Sequence, residues 1–191
     1  MGSLNNFHTL CKPISLLKHK YETETFVETG CFRGAGLFSA ASFNFKKMYS
    51  CDIDKEMVDL CSKQFPEVDI RHTDSLSFLE DLLPELDEVK SVFFFLDAHL
   101  PDHDKNNGTV LLDSEYNFPL EKELDLINQY RRDKRDVILC DDLRIYEDGA
   151  FDGGNWKERH KFGLDLSFLS RYNYNIEKFY KSEGYILLYH D

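Results

Sequence analysis

Long apolar runs are missing from this chain. The most apolar stretch, Val92-Phe93-Phe94-Phe95-Leu96, is far short of the ~20 residues a membrane-spanning helix needs. An apolar signal region is also absent at the N-terminus, and Met1-Gly2 lacks the serine or threonine that acylation wants at position 6, where Asn6 stands. Positive charge is scarce: 23 basic against 35 acidic residues leave a net charge of −12. Such a surface repels phosphate backbones and anionic lipid, so nucleic acid and membrane are excluded as first partners. The five cysteines, at 11, 31, 51, 61 and 140, are odd in number and fall inside apparent strands and helices. No disulfide framework follows, and a reducing, cytoplasmic setting is expected. Finally, the glycines of Gly30-Cys31-Phe32-Arg33-Gly34-Ala35-Gly36 lack the Gly-x-Gly-x-x-Gly spacing, which argues against a nicotinamide oxidoreductase.

What is present describes a folded α/β protein. At 191 residues, with 42% hydrophobic and 30% charged content, the chain suffices for one domain over 1–191 and is too apolar for disorder. The Met-Gly-Ser opening also reads as an appended leader, in which case the chain is a domain of a longer protein. Segment 1–24 carries the stripe Leu10, Ile14, Leu17 and is expected to cover one edge of a sheet. Strands are expected at 25–29, 48–52, 68–71, 91–97 and 136–140, alternating with helices. The helices are read from about 37, from Met57 to a stop at Pro66, from Asp74-Ser75 to a stop at Pro84, and from Pro119 onward. A further helix is expected over 156–171, and 174–180 with 185–189 read as a hairpin. The polar stretch 100–118 is too long for a plain connection and reads as a lid or insertion. The fold expected is α/β: a doubly wound, Rossmann-like sheet of seven strands, mostly parallel, with a C-terminal antiparallel hairpin.

In such sheets ligands sit beyond the carboxyl ends of the strands. Each parallel strand here delivers an acid to that rim: Glu28, Asp52, Asp74, Asp97 with His99, and Asp141-Asp142. Singly, each reads equally well as a helix cap or a solvated loop residue. An acid just before Gly30 suits a ligand bearing an ammonium group and a sulfonium, and Asp52 suits a ribose diol.

The motifs Glu28-Thr29-Gly30-x-x-x-Gly34, Cys51-Asp52-Ile53-Asp54 and Thr73-Asp74-Ser75-Leu76 resemble the cofactor motifs of class I S-adenosylmethionine-dependent methyltransferases. The resemblance spans about residues 25–190. It implies that Glu28, Thr29, Gly30 and Gly34 lie beside the methionine part, Asp52 takes the ribose, and Asp74 with Ser75 contacts adenine. Leu96-Asp97-Ala98-His99 with Cys140-Asp141-Asp142 is similar to metal-dependent O-methyltransferases of the catechol and macrocin types. That likeness implies Asp97, Asp141 and Asp142 as ligands of a divalent cation, Mg or Mn, and a hydroxyl acceptor on a small molecule or glycan, a deoxyhexose such as rhamnose being favoured. Two departures stand out: Leu100 replaces the catechol-type lysine, and Asp97-Ala98-His99 replaces the macrocin-type Asp-Gly-Asp. His99 is open as general base, metal ligand or structural residue. Open too are a metal-free methyltransferase with His99 as base and a module that binds the cofactor without catalysis. Arg144 and Trp156 are candidates for the acceptor wall, Trp156 alternatively as a core anchor.

Overall fold

Every residue of Val92–Leu96 is apolar and buried, so the strand it forms must be covered on both faces. The computed structural model, which describes residues 7–99, 118–152, 154–157 and 163–190, provides that cover. The strands are β1 (Thr25–Thr29), β2 (Lys47–Asp52), β3 (Asp69–His72), β4 (Val92–Leu96), β5 (Val137–Cys140), β6 (Asn175–Phe179) and β7 (Tyr185–Tyr189). They form one seven-stranded sheet in the order β3-β2-β1-β4-β5-β7-β6. The first five are parallel, β7 pairs antiparallel with β5, and β6 pairs antiparallel with β7 and so runs with the rest. The expected architecture is therefore present, with the hairpin folded so that its second strand lies inside the sheet.

Strand alternation divides the core. Phe26, Phe93 and Leu139 join Leu10 and Ile14 of α1 (Phe7–Lys20), Leu37 of α2 (Ala35–Ala41) and Cys61 of α3 (Lys55–Gln64). Val27, Phe94 and Ile138 face the other way, toward Phe78 and Leu82 of α4 (Ser75–Glu85) and Leu124 of α5 (Leu120–Arg131). The N-terminal stripe forms a helix, and it packs on one sheet face rather than over an edge. On the other side, the buried Arg131 at the end of α5 pairs with Asp136 before β5 at 2.7 and 2.8 Å. It also donates to the carbonyls of Leu86 and Val89, stapling α5 to the α4–β4 turn.

Two expectations change. Pro84 sits inside the last turn of α4 rather than before its end, because the helix continues to Glu85. The helix expected over 156–171 does not run that length: Lys157 is helical, 158–162 lie outside the described residues, and 163–166 are not helical. Gly163 takes φ +66°, Asp165 accepts from the Ser167 amide, and only a 3-10 turn, Ser167–Arg171, follows. A positive φ interrupts a right-handed helix and the Asp165 cap starts the new turn. The stretch expected as a lid lies, apart from Phe118, outside the described residues. No helix among the described residues is long and apolar enough to cross a membrane.

Candidate active site

Strand order reverses between β1 and β4, and there the ends of β1, β4 and β5 meet. Backbone pairing runs past the strands: Asp97 N donates to Thr29 O at 3.1 Å and Asp141 N to Leu96 O at 3.0 Å. The registers of Asp97 and Asp141 are fixed by that ladder. Gly30, at φ +83°, packs so closely on the next strand end that a Cβ would lie 2.8 Å from Asp97 O. Its amide and that of Cys31 both donate to Cys51 O, turning the chain toward Gly34, which precedes α2 in a left-handed conformation.

The residues expected around a cofactor divide between rim and interior. Asp52 is on the rim: Oδ2 accepts from the Phe32 amide at 2.7 Å and Oδ1 from the Asp54 amide at 2.8 Å. Each oxygen keeps acceptor capacity toward a ligand. Ile53, beside it, is 65% exposed and gives the rim an apolar face that the sequence reading did not single out. Asp74 caps α4, accepting from the amides of Leu76 and Ser77 and from Ser77 Oγ, while Ser75 is buried. Glu28 departs from a rim anion. It points inward against Gly36, accepts from Ser50 Oγ at 2.7 Å, and burial pushes it up to about 8, favouring its protonated form. Thr29 Oγ1 is buried without a partner among the described residues.

Beyond β4 and β5 lies a chain of charges. His99 Nε2 contacts Asp142 Oδ2 at 2.5 Å, and Asp142 Oδ1 accepts from Arg144 Nε at 2.8 Å. Asp142 is not glycine yet holds φ 54°, ψ 48°, a left-handed conformation of the kind concentrated at functional sites. The Arg144 guanidinium lies 3.8 Å from the Trp156 ring centroid. Trp156 is buried beneath it, which makes that ring an anchor rather than an open platform for a sugar. Burial alone would raise Asp142 and lower His99. Their contact, with Arg144 beside it, reverses both, leaving the carboxyl below its ordinary range and the imidazole above. Asp97 is pushed well up by burial and by Asp141, and Asp141 rises to about 7 through burial and repulsion from Asp142.

Asp97, Asp141 and Asp142 are neighbours beyond β4 and β5, each acting on the next. Carboxylates on neighbouring strand ends suit a hard divalent ion when their oxygens converge. Here Asp142 turns both oxygens to His99 and Arg144. No group of three His, Cys, Asp or Glu side chains among the described residues is placed to hold a metal ion. His99 Nδ1 stands 3.5 Å from Asp97 Oδ1, which remains buried without a hydrogen-bond partner.

One titratable residue escaped the sequence reading. Glu123, on the first turns of α5, reads there as an acid favoured by the helix dipole. It is 1% exposed, and burial raises it to about 7 against the opposing effects of Ser75, Thr29 and His99. Its signal was positional: 123 lies three after Leu120 and four before Ile127, on the apolar stripe.

In sequence the chain matches no protein-family model and no curated protein. In structure it is similar to an O-methyltransferase from Bacillus cereus solved in complex with SAH, at TM-score 0.59 and 14% identity over 95% of this chain and 81% of that one. A bacterial methyltransferase domain aligns at TM-score 0.56 and 12% identity over 97% and 99% of the two chains. An SAH-bound methyltransferase from Podospora anserina aligns at 0.51 and 13% over 93% and 76%. At these identities the likeness concerns the fold, the seven-stranded sheet shared with class I methyltransferases.

Proposed function

We propose that this chain is an S-adenosylmethionine-dependent O-methyltransferase acting on a hydroxyl of a polar small molecule or glycan. The observation that carries the reading is the His99–Asp142–Arg144 chain at the strand-order reversal of a methyltransferase-like sheet. S-adenosylmethionine, when bound, supplies an electrophilic methyl group on a sulfonium. The residues that would hold it fit its chemistry. Gly30 keeps backbone low at the crevice, Asp52 retains acceptor capacity for ribose hydroxyls, and Ile53 offers an apolar surface to the base. Asp74 and Ser75 border the same side, and the acidic rim attracts a cationic ligand.

In this reading Asp142 orients His99 by accepting from Nε2–H, and Arg144 holds Asp142 in place. Nδ1 is then the acceptor for the proton of the attacking hydroxyl, a base held by a third group. Alignment of the hydroxyl oxygen with the methyl carbon supplies the remainder of the rate. A second reading has one observation in its favour. The unpartnered Asp97 Oδ1, close to Asp141, is a place for a divalent cation such as Mg or Mn, although Asp142 as arranged does not join it. A sugar acceptor, a deoxyhexose among them, belongs to the same proposal through the polar lining of the rim. All five cysteines are unpaired, consistent with work in a reducing compartment such as the cytoplasm.

The decisive experiment is release of S-adenosylhomocysteine against glycan and phenolic acceptors, with Mg or Mn and with chelator, beside calorimetry of cofactor binding. Turnover unaffected by chelation supports the His99 mechanism, and metal dependence supports the second reading. Tight cofactor binding without transfer to any acceptor would favour a binding module. No cofactor binding would sink the proposal.

A further inference from the structure

α5 carries one acid on a face that is otherwise apolar. Leu120, Leu124 and Ile127 pack into the core with Glu123 between them. An ionisable side chain so buried normally has partners that offset its desolvation. Ser75 and Thr29 lie near enough to act on the carboxyl, yet Glu123 Oε1 has no hydrogen-bond partner among the described residues. Glu123 also lines a small cavity with Ala98, His99, Asp141 and Tyr146. That space has room for about one water-sized group. One hydrogen-bond acceptor of a fixed carboxyl is therefore open, beside His99, to an occupant the size of a hydroxyl or amino group.

We propose that Glu123 is a specificity-determining residue, accepting a hydrogen bond from a second donor, hydroxyl or amino, on the same molecule that presents its reacting hydroxyl to His99. This rests on the methyl-transfer reading above. A buried acceptor left unpaired penalises any molecule that fails to satisfy it, so such a site discriminates strongly against the analogue lacking the donor. The same orphaned atom weakens the ligand-free protein, and function is then held at some expense of stability. A structural acid that merely fixes an internal water makes the opposite prediction, since its removal would loosen the fold and leave acceptor choice alone.

The test compares the parent chain with Glu123→Gln and Glu123→Leu. Three measurements are made: thermal unfolding, calorimetry with S-adenosylmethionine, and S-adenosylhomocysteine release on methyl glycosides, amino sugars and their monodeoxy counterparts. We expect Glu123→Leu to melt roughly 2–4 °C higher. Cofactor affinity should stay within about twofold, and turnover of donor-bearing acceptors should fall by about 100-fold or more, erasing the preference over monodeoxy analogues. Glu123→Gln, which keeps an accepting oxygen, should retain part of that preference. Lower melting of both variants with unchanged acceptor preference overturns the proposal. So does a parent that binds the cofactor but turns over no donor-bearing acceptor, or uses monodeoxy analogues equally well. A parent that fails to bind the cofactor retires the methyl-transfer reading instead, and the melting comparison still separates a ligand-facing acid from a structural one.

Discussion

Asp142 occupies a backbone conformation that most residues avoid, and the reason is visible in where its side chain goes. With φ 54° and ψ 48° its carboxylate bridges His99 and Arg144, whereas Asp141 before it accepts its amide and stays in register with β4. Replacing Asp142 by Asn keeps the shape but weakens the hold on Nε2–H. Turnover should fall by about 10²- to 10⁴-fold while cofactor affinity changes little, as read by S-adenosylhomocysteine release and calorimetry. Gly30 is a second sensitive residue. Gly30→Ala places a methyl 2.8 Å from Asp97 O at φ +83°, and we expect a loss on the order of 1–3 kcal/mol in denaturant unfolding together with weakened cofactor binding. At this scale the meeting of Asp97, His99, Asp141 and Asp142 on one rim was legible, because acids ending neighbouring parallel strands must share it. Their partners were not. Which way a carboxylate turns depends on Arg144 and Trp156, residues whose contacts no spacing reveals. Glu28 likewise looks like a rim anion until Ser50 and Gly36 are seen around it.

Between residue and molecule, the junction of α5 with β5 shows how elements are fastened. Arg131 and Asp136 are both almost fully buried, and the guanidinium donates to two carbonyls besides the carboxylate. Removing the cation leaves a buried carboxylate with the Val92 amide but no countercharge, so Arg131→Met should destabilise by about 3–5 kcal/mol. The check is the urea midpoint, with cofactor affinity per folded molecule unchanged because the pair lies at the opposite rim from the site. From sequence, a basic residue at a helix end reads as a partner of the helix dipole, a role that requires only exposure. Strands were easier. A run such as Val92–Leu96 has only one way to be satisfied, and the acids that follow mark its end. The segment over 156–171 was misread because Trp156, Leu164 and Phe168 have helical spacing while Gly163 and Asp165 break the backbone between them. Insertion of β7 between β5 and β6 was also hidden, since a hairpin pattern states which strands pair and not which of them faces the rest of the sheet.

Across the whole molecule, acids inside the fold and acids on its surface push stability the same way with pH. Glu28 is raised from 4.5 to about 8 and Glu123 from 4.5 to about 7, both chiefly by burial. A carboxyl raised on folding binds its proton more tightly in the native state, so its contribution is fully present below about pH 4.5 and is lost as pH climbs through the folded value. Stability should accordingly decline from about pH 5 to about pH 8. The net charge of −12 adds self-repulsion in the same direction. Asp142 opposes the trend only at acid pH, because its carboxyl is lowered and its contribution is lost as pH falls. Glu28→Gln separates the internal from the surface cause. It preserves an acceptor for Ser50 Oγ, removes the titration, and changes surface charge by nothing below the folded pKa. Urea unfolding at half-unit intervals should show the slope between pH 5 and 8 flattened, with a gain on the order of a few kcal/mol at pH 8. An unchanged slope would assign the pH dependence to surface repulsion, and added salt should then remove it by screening, which reaches exposed charges and leaves a buried carboxyl largely untouched.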